Sequence, residues 1–294
     1  MNKKARLIQN STALVLVGAL ALAFAFPIFV TFTNSFMSGF EINSRYTMDI
    51  LPSNYFYRLD VFPQIHFVRM TVLPNWVTLR QYINLFQNSA YINGLWNSIM
   101  ITGPSVLGQL VIAVPAAFAF ELCKWRHKEK LFFVYIVVML MPLPVVLVPQ
   151  FVVAGFLGIQ ESVLAIILPA IFSPFGVFLL RQFMKNLSIE YVEAAKLDGA
   201  GVVRILISIV TPLLKPAIAA LALLVFIDYW NVVDQAIVFI TNPFFEPLSV
   251  GLTRFRGNNE IIFAASFFYM VPALLVFLFG QEQLIEGMKM SGIR

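Results

Sequence analysis

Forty consecutive residues, Gln81 to Phe120, contain no charged side chain. As a helix such a run would rise about 60 Å, roughly twice the ~30 Å hydrocarbon thickness of a bilayer. The part from Tyr91 onward is apolar enough to read as a membrane span, over 91–120. Five further runs make the same demand: 11–36, 131–156, 162–180, 212–237 and 261–280. The fifth is interrupted by Lys215, Asp228 and Asp234. Only 12% of the chain is charged and its mean hydropathy is +0.83, whereas soluble domains carry about a quarter charged residues. The expected class is an all-α integral membrane protein with six transmembrane helices, forming one domain over 1–294.

Lys3, Lys4 and Arg6 precede the first run, as in a secretory leader. The small residues Ala21, Ala23 and Ala25 resemble a cleavage site. Yet hydrophobicity continues through Pro27 to Phe36, past the ~7–15 residues of a leader's apolar region, so an uncleaved helix is expected. With six spans, one side of the membrane holds 14 of the Lys and Arg residues and the other holds 6. The positive-inside rule puts the richer side, with both termini, in the cytoplasm. Lys124, Arg126, Lys128 and Lys130 then serve as topological anchors. Eleven prolines lie within or at the ends of spans, among them Pro104, Pro115, Pro142 and Pro272. Each one inside a helix removes a backbone hydrogen bond that neighbouring groups must replace.

Several chemistries are excluded. There is no G-x-x-x-x-G-K-[ST] and no Gly-Lys pair, so the chain has no P-loop. It lacks H-E-x-x-H and G-x-S-x-G. Cys123 is the one cysteine, which rules out an internal disulfide. His66 and His127 are far apart, and no metal site is expected. The basic residues, net +5, form no nucleic-acid stripe. Energised work requires a partner or an ion gradient.

Residues 186–211 form the most informative segment. Ser188 suits a helix N-cap, and Glu190 in the first turn complements the helix dipole. Glu193, Ala194 and Ala195 favour a short helix, which Asp198-Gly199 ends, with Gly199 tolerating positive φ. A second helical stretch, Val202 to Val210, leads into Pro212. The predicted element is a helix–turn–helix facing the cytoplasm; the plainer reading is an interfacial connector.

The spacing Glu193-Ala194-Ala195, Gly199, Ile209, Thr211-Pro212 resembles the signature of permease subunits of bacterial ABC importers, with Thr211 where leucine is usual. Asp198 and Ala200 are similar to the maltose-type, MalG-like carbohydrate branch. So are Leu79-Arg80-Gln81-Tyr82, Leu85-Phe86, Trp96-Asn97-Ser98, Trp230-Asn231 and the tail Gly287-Met288 with Ser291-Gly292. The resemblance implies a type I importer permease in the bacterial cytoplasmic membrane. Glu193, Ala194, Ala195, Asp198 and Gly199 would form its coupling helix, docking on an ATPase subunit. It also implies four kinds of partner besides lipid: a second homologous permease, two ATP-binding subunits holding the ATP and Mg, an extracellular solute-binding protein, and a sugar. This chain would then be no enzyme and hold no cofactor.

The external loop, 37–90, exceeds the family's usual length by an insertion near 45–71. Its aromatics (Tyr46, Tyr55, Phe56, Tyr57, Phe62, Phe67, with Pro63) suit either contact with a partner or a small core of their own. On the fifth span, Asp228, Asn231 and Gln235 would share a helix face, beside Asp234 and flanked by Tyr229 and Trp230. A carboxylate at bilayer depth should face protein or water, so this stripe is a candidate substrate path, or a helix-packing face. Asn97 and Gln109 are weaker candidates. The main alternative is an ion-coupled carrier using Asp228 and Asp234; a membrane-embedded enzyme is disfavoured for want of a nucleophile–base or metal cluster.

Overall fold

The structure, a computed structural model, describes residues 3–46, 72–254 and 261–290. In chain order the helices are α1 (Lys3–Asn34), α2 (Gly39–Tyr46), α3 (Arg80–Gln87) and α4 (Ser89–Leu122). Next come α5 (Lys128–Met139), α6 (Leu143–Phe156), α7 (Leu164–Ile171), α8 (Pro174–Met184) and α9 (Ile189–Leu197). A broken stretch follows: α10 (Val202–Ile205), a π-helical turn (Leu206–Val210) and α11 (Thr211–Leu213). The chain continues through α12 (Lys215–Trp230), α13 (Asp234–Phe239), a 3₁₀ turn (Pro243–Phe245), α14 (Leu248–Arg254) and α15 (Ile262–Met290). Most of the 45–71 insertion, with the aromatics named for it other than Tyr46, lies outside the described residues.

Four stretches are long and apolar enough to cross a bilayer: Thr12–Asn34, Ser89–Leu122, Leu164–Met184 and Ile262–Gln283. Two bent pairs bring the number to six when each counts as one span: α5 with α6, at 105°, and Val202–Leu213 with α12, at 77°. The third span is therefore not the straight helix expected over 131–156. Pro142 disfavours helical geometry at Met141, and Pro142 itself is extended. The fourth continues past Leu180 to Met184, jointed where Ser173 precedes Pro174 and turns extended. The fifth stops at Trp230 instead of running to Ile237. There Asn231 Nδ2 donates to the Ile227 carbonyl at 2.8 Å, a local bond that competes with helix continuation.

The chain divides into two compact units: residues 1–91 with 252–270, and residues 92–251 with 271–294. In the first, the side chains from Thr12 to Phe29 are all exposed, an apolar surface suited to lipid. Gln81, buried, ties the unit together: its Nε2 donates to the carbonyls of Asn34 (2.7 Å) and Met37 (2.8 Å). Its Oε1 accepts from Ala264 N at 3.2 Å. One side chain thus satisfies backbone groups at the end of α1 and the start of α15, which lipid would leave unpaired. The chain after the insertion returns to α2, where Asn75 N donates to Glu41 Oε1 at 2.9 Å.

In the second unit, α4 and α7 approach closely at Gly108, where a Cβ would lie 2.5 Å from Ile171 Cγ1; small residues permit such contacts between membrane helices. At the chain's basic end of α4, Arg181 of α8 is only 4% exposed. Its Nε bonds Glu121 Oε2 at 2.9 Å, its Nη2 bonds Glu129 Oε1 at 2.7 Å, and its guanidinium sits 3.9 Å from the Phe132 ring centre. One cation therefore pins three helix ends. Replacing Arg181 by Met leaves Glu121 half-buried without its partner. The expected loss is about 3 kcal/mol of stability, read as a lower thermal midpoint in detergent; Lys124→Met, on the exposed surface, should change it by less than about 0.5 kcal/mol. Equal effects of the two substitutions would contradict this role for Arg181.

Candidate functional site

Two features of the second unit concern function: the elbow at 186–213 and a recess around residues 228–235. In the elbow, Ser188 Oγ caps α9 by accepting from Glu190 N at 3.4 Å. The helix closes with a paired C-terminal motif: Ala200 N donates to the Ala195 carbonyl (2.9 Å) and Gly199 N to that of Lys196 (3.0 Å). This pairing needs a left-handed residue, and Gly199 supplies φ +78°. The inner side of α9, Val192 and Ala195, is buried in an apolar cluster with Leu180, Phe183 and Met184 of α8, Leu214 just before α12, and Ala217 and Leu221 of α12. The outer side is left bare. Glu193, Ala194, Asp198 and Gly199 are exposed, as are Ile189, Tyr191, Val202 and Val203, with Leu197 at 89%.

Beyond Gly201 the chain does not form the regular helix expected over Val202 to Val210. Pro212 has no N–H to continue an i→i−4 ladder, and the chain widens into the π turn. The Leu206 carbonyl accepts from the Thr211 backbone N–H and also from Thr211 Oγ1, at 2.8 Å. The residue that departs from the importer signature thus binds the widened turn through both its backbone and its side chain.

The recess is lined at its narrower end, about 170 Å³, by Asp228, Tyr229, Asn231, Asp234 and Gln235 with three apolar neighbours. Asp228, Tyr229 and Gln235 also line a larger hollow of about 780 Å³, with Gln150, Phe172 and Phe175 among its walls. The residues named for a polar stripe do meet, but not by helical periodicity, because the helix breaks between Trp230 and Asp234. It is the break that turns them toward one space. The Val232 carbonyl freed at the break accepts from Ser249 Oγ at 2.5 Å.

Three expected candidates are placed elsewhere. Trp230 is 2% exposed and stacks on Phe226, with ring centres 5.5 Å apart, so it offers no face to a passing solute. Asn97 Nδ2 donates to the carbonyls of Phe244 (2.7 Å) and Glu246 (3.1 Å), while Ser98 Oγ accepts from Leu248 N at 2.9 Å. These side chains fasten the 244–248 segment to α4. Gln109, too, is buried, against Gly176. Gln150 was not anticipated, although a lone amide in the apolar run 131–156 was a visible signal. Among the described residues, no group of three or more His, Cys, Asp or Glu side chains is gathered for a metal.

The fold and these features define a multi-pass, all-helical membrane protein with a bare helical elbow between two of its spans. Residues 109–289 match the family of the binding-protein-dependent transport system inner membrane component, and the chain belongs to that family. Its relatives include the arabinooligosaccharides transport system permease protein AraQ of Halalkalibacterium halodurans, 27% identical over 74% of this chain and 80% of the relative. Another is the melibiose/raffinose/stachyose import permease protein MelC of Bacillus subtilis, 27% identical over 74% of this chain and 82% of that one. Among solved structures, a bacterial ABC transporter involved in import of the acidic polysaccharide alginate contains a chain of the same fold. It has a TM-score of 0.78 and 23% identity, covering 96% of this chain and 98% of that one.

The left-handed turn at Gly199 is the elbow's most sensitive point. Gly199→Ala should cost about 1–2 kcal/mol locally. The amides of Gly199 and Ala200 should then exchange hydrogen roughly 5–30 times faster. Unchanged exchange in peptides covering 194–203 would show that the closing motif does not hold the elbow.

Proposed function

We propose that this chain is the permease subunit of an ATP-binding-cassette importer, moving a sugar or oligosaccharide inward by alternating access. A solute-binding protein delivers the sugar outside, a second homologous permease completes the path, and two ATP-binding subunits hold ATP and Mg and supply the energy. Both termini lie in the cytoplasm. The carrying observation is the elbow. A short capped helix exposes Tyr191 and Leu197 outward while its inner side is packed into the foot of α12. Apolar side chains exposed on a polar connecting segment mark a docking face. Glu193, Ala194, Ala195, Asp198 and Gly199 form the coupling element: exposed Ala194 lets a partner surface approach closely, Glu193 supplies a charged contact, and buried Ala195 anchors the element's inner side. The oligosaccharides printed in the names of AraQ and MelC support a saccharide as cargo.

Motion follows from the packing. The elbow and the first turns of α12 share one apolar cluster, so a push on α9 moves α12 as a body. The helix is 16 residues long, or ~24 Å, and carries Asp228 and Tyr229 near its other end. Force applied at the elbow therefore reaches the recess without crossing a joint. Asp228, Tyr229, Asn231, Asp234 and Gln235 form this subunit's share of the substrate path.

In the reconstituted importer, Glu193→Arg should uncouple transport: uptake falls at least about tenfold, a loss of ~1.4 kcal/mol in coupling, while the permease still inserts and pairs. Undiminished uptake and sugar-stimulated ATP hydrolysis would overturn the assignment. Solute movement by the chain without ATP-binding subunits, driven by an ion gradient, would favour the carrier reading instead.

A further inference from the structure

We propose that the recess selects uncharged, hydroxyl-rich saccharides and rejects acidic ones, because its lining offers acceptors and negative charge but no cation. The inference rests on the reading of this chain as a saccharide permease. Asp228 and Asp234 are exposed at the recess. None of the residues lining either part of it is Lys, Arg or His. Among the described residues, the ion pairs involve Glu41, Glu121 and Glu129, so neither aspartate is neutralised by a basic side chain.

The second observation concerns the amides. Gln235 is 9% exposed, and its Oε1 is buried without a hydrogen-bond partner. Gln150 Oε1, in the wall of the larger hollow, is in the same condition. A buried amide oxygen without a donor is unfavourable, and a ligand that brings donors relieves it. Ionised carboxylates and amide oxygens are all acceptors. Sugar hydroxyls supply the donors that this lining lacks, and Tyr229, Phe172 and Phe175 provide aromatic surface for the less polar ring faces. A uronate, sulfonate or phosphate would instead set acceptor against acceptor and charge against charge. The fold shared with a transporter of an acidic polysaccharide therefore does not extend to the charge of the cargo.

The experiment uses the complete importer in liposomes with its binding protein, screened with neutral tri- and tetrasaccharides. Each is paired with a derivative in which one primary alcohol is oxidised to a carboxylate. Uptake of the best neutral sugar should exceed that of its uronic partner by about tenfold or more, the scale of one like-charge contact. In the variant carrying Asp228→Asn and Asp234→Asn the ratio should narrow about tenfold. The binding protein is the same in both preparations, so the change belongs to the permease. If the double variant fails to assemble, each single Asn variant should narrow the ratio in the same direction. Gln235→Leu should lower neutral uptake about tenfold. A ratio unmoved by the Asn variants, or preferential uptake of the uronic forms, overturns the inference while leaving a saccharide importer. Failure of every saccharide, neutral or acidic, to be taken up rejects the underlying function as well.

Discussion

The second unit is organised by the apolar cluster that joins α9 to the foot of α12. Val192 and Ala195 from the elbow, Leu180, Phe183 and Met184 from α8, and Leu214, Ala217 and Leu221 from the start of α12 and the residue before it are buried together. In lipid, burying apolar side chains against one another gains little over leaving them in hydrocarbon, so packing fit does most of the holding. This cluster lies where the chain crosses from connecting segment to span. Close-packed interiors transmit strain rather than absorb it. The same contacts that order the elbow therefore make it mechanically continuous with the span behind it.

Polar groups are placed around that core with different duties. Arg181 gathers Glu121 and Glu129, Gln81 pairs buried backbone groups at helix ends of the first unit, and Asn97 with Ser98 fastens the 244–248 segment. Each is an internal tie with its hydrogen bonds directed to protein. Asp228, Asp234 and Gln235 differ, since they line open space, and the Oε1 of Gln235 has no partner. The contrast separates structural polarity from polarity available to a solute, and hydropathy alone draws no such line.

Much of this was legible in the sequence. Long apolar runs locate the spans because a bilayer demands them. The elbow was readable down to its capping serine and its left-handed glycine, since local bonds between near neighbours decide both. The breaks were harder. Proline at 142 signals a joint, but not a bend of 105°, which depends on packing between segments distant in sequence. The polar stripe on the fifth span was inferred from helical periodicity, and that premise failed where Asn231 turned its amide back on Ile227. The residues still meet, for a reason periodicity does not encode. Trp230 looked like a sugar-stacking ring; only tertiary contacts show it turned inward against Phe226. The tie made by Arg181 was not legible, because its two carboxylate partners lie 52 and 60 positions away.

The elbow's bare outer side is the most direct place to test the proposed coupling. Hydroxyl-radical footprinting of Tyr191 and Leu197 would compare the permease alone with the complex containing its nucleotide-hydrolysing subunits. Strong protection of both residues in the complex is the expected result. Equal labelling in the two states would contradict it, because a surface that stays in water while ATP is being hydrolysed receives no push.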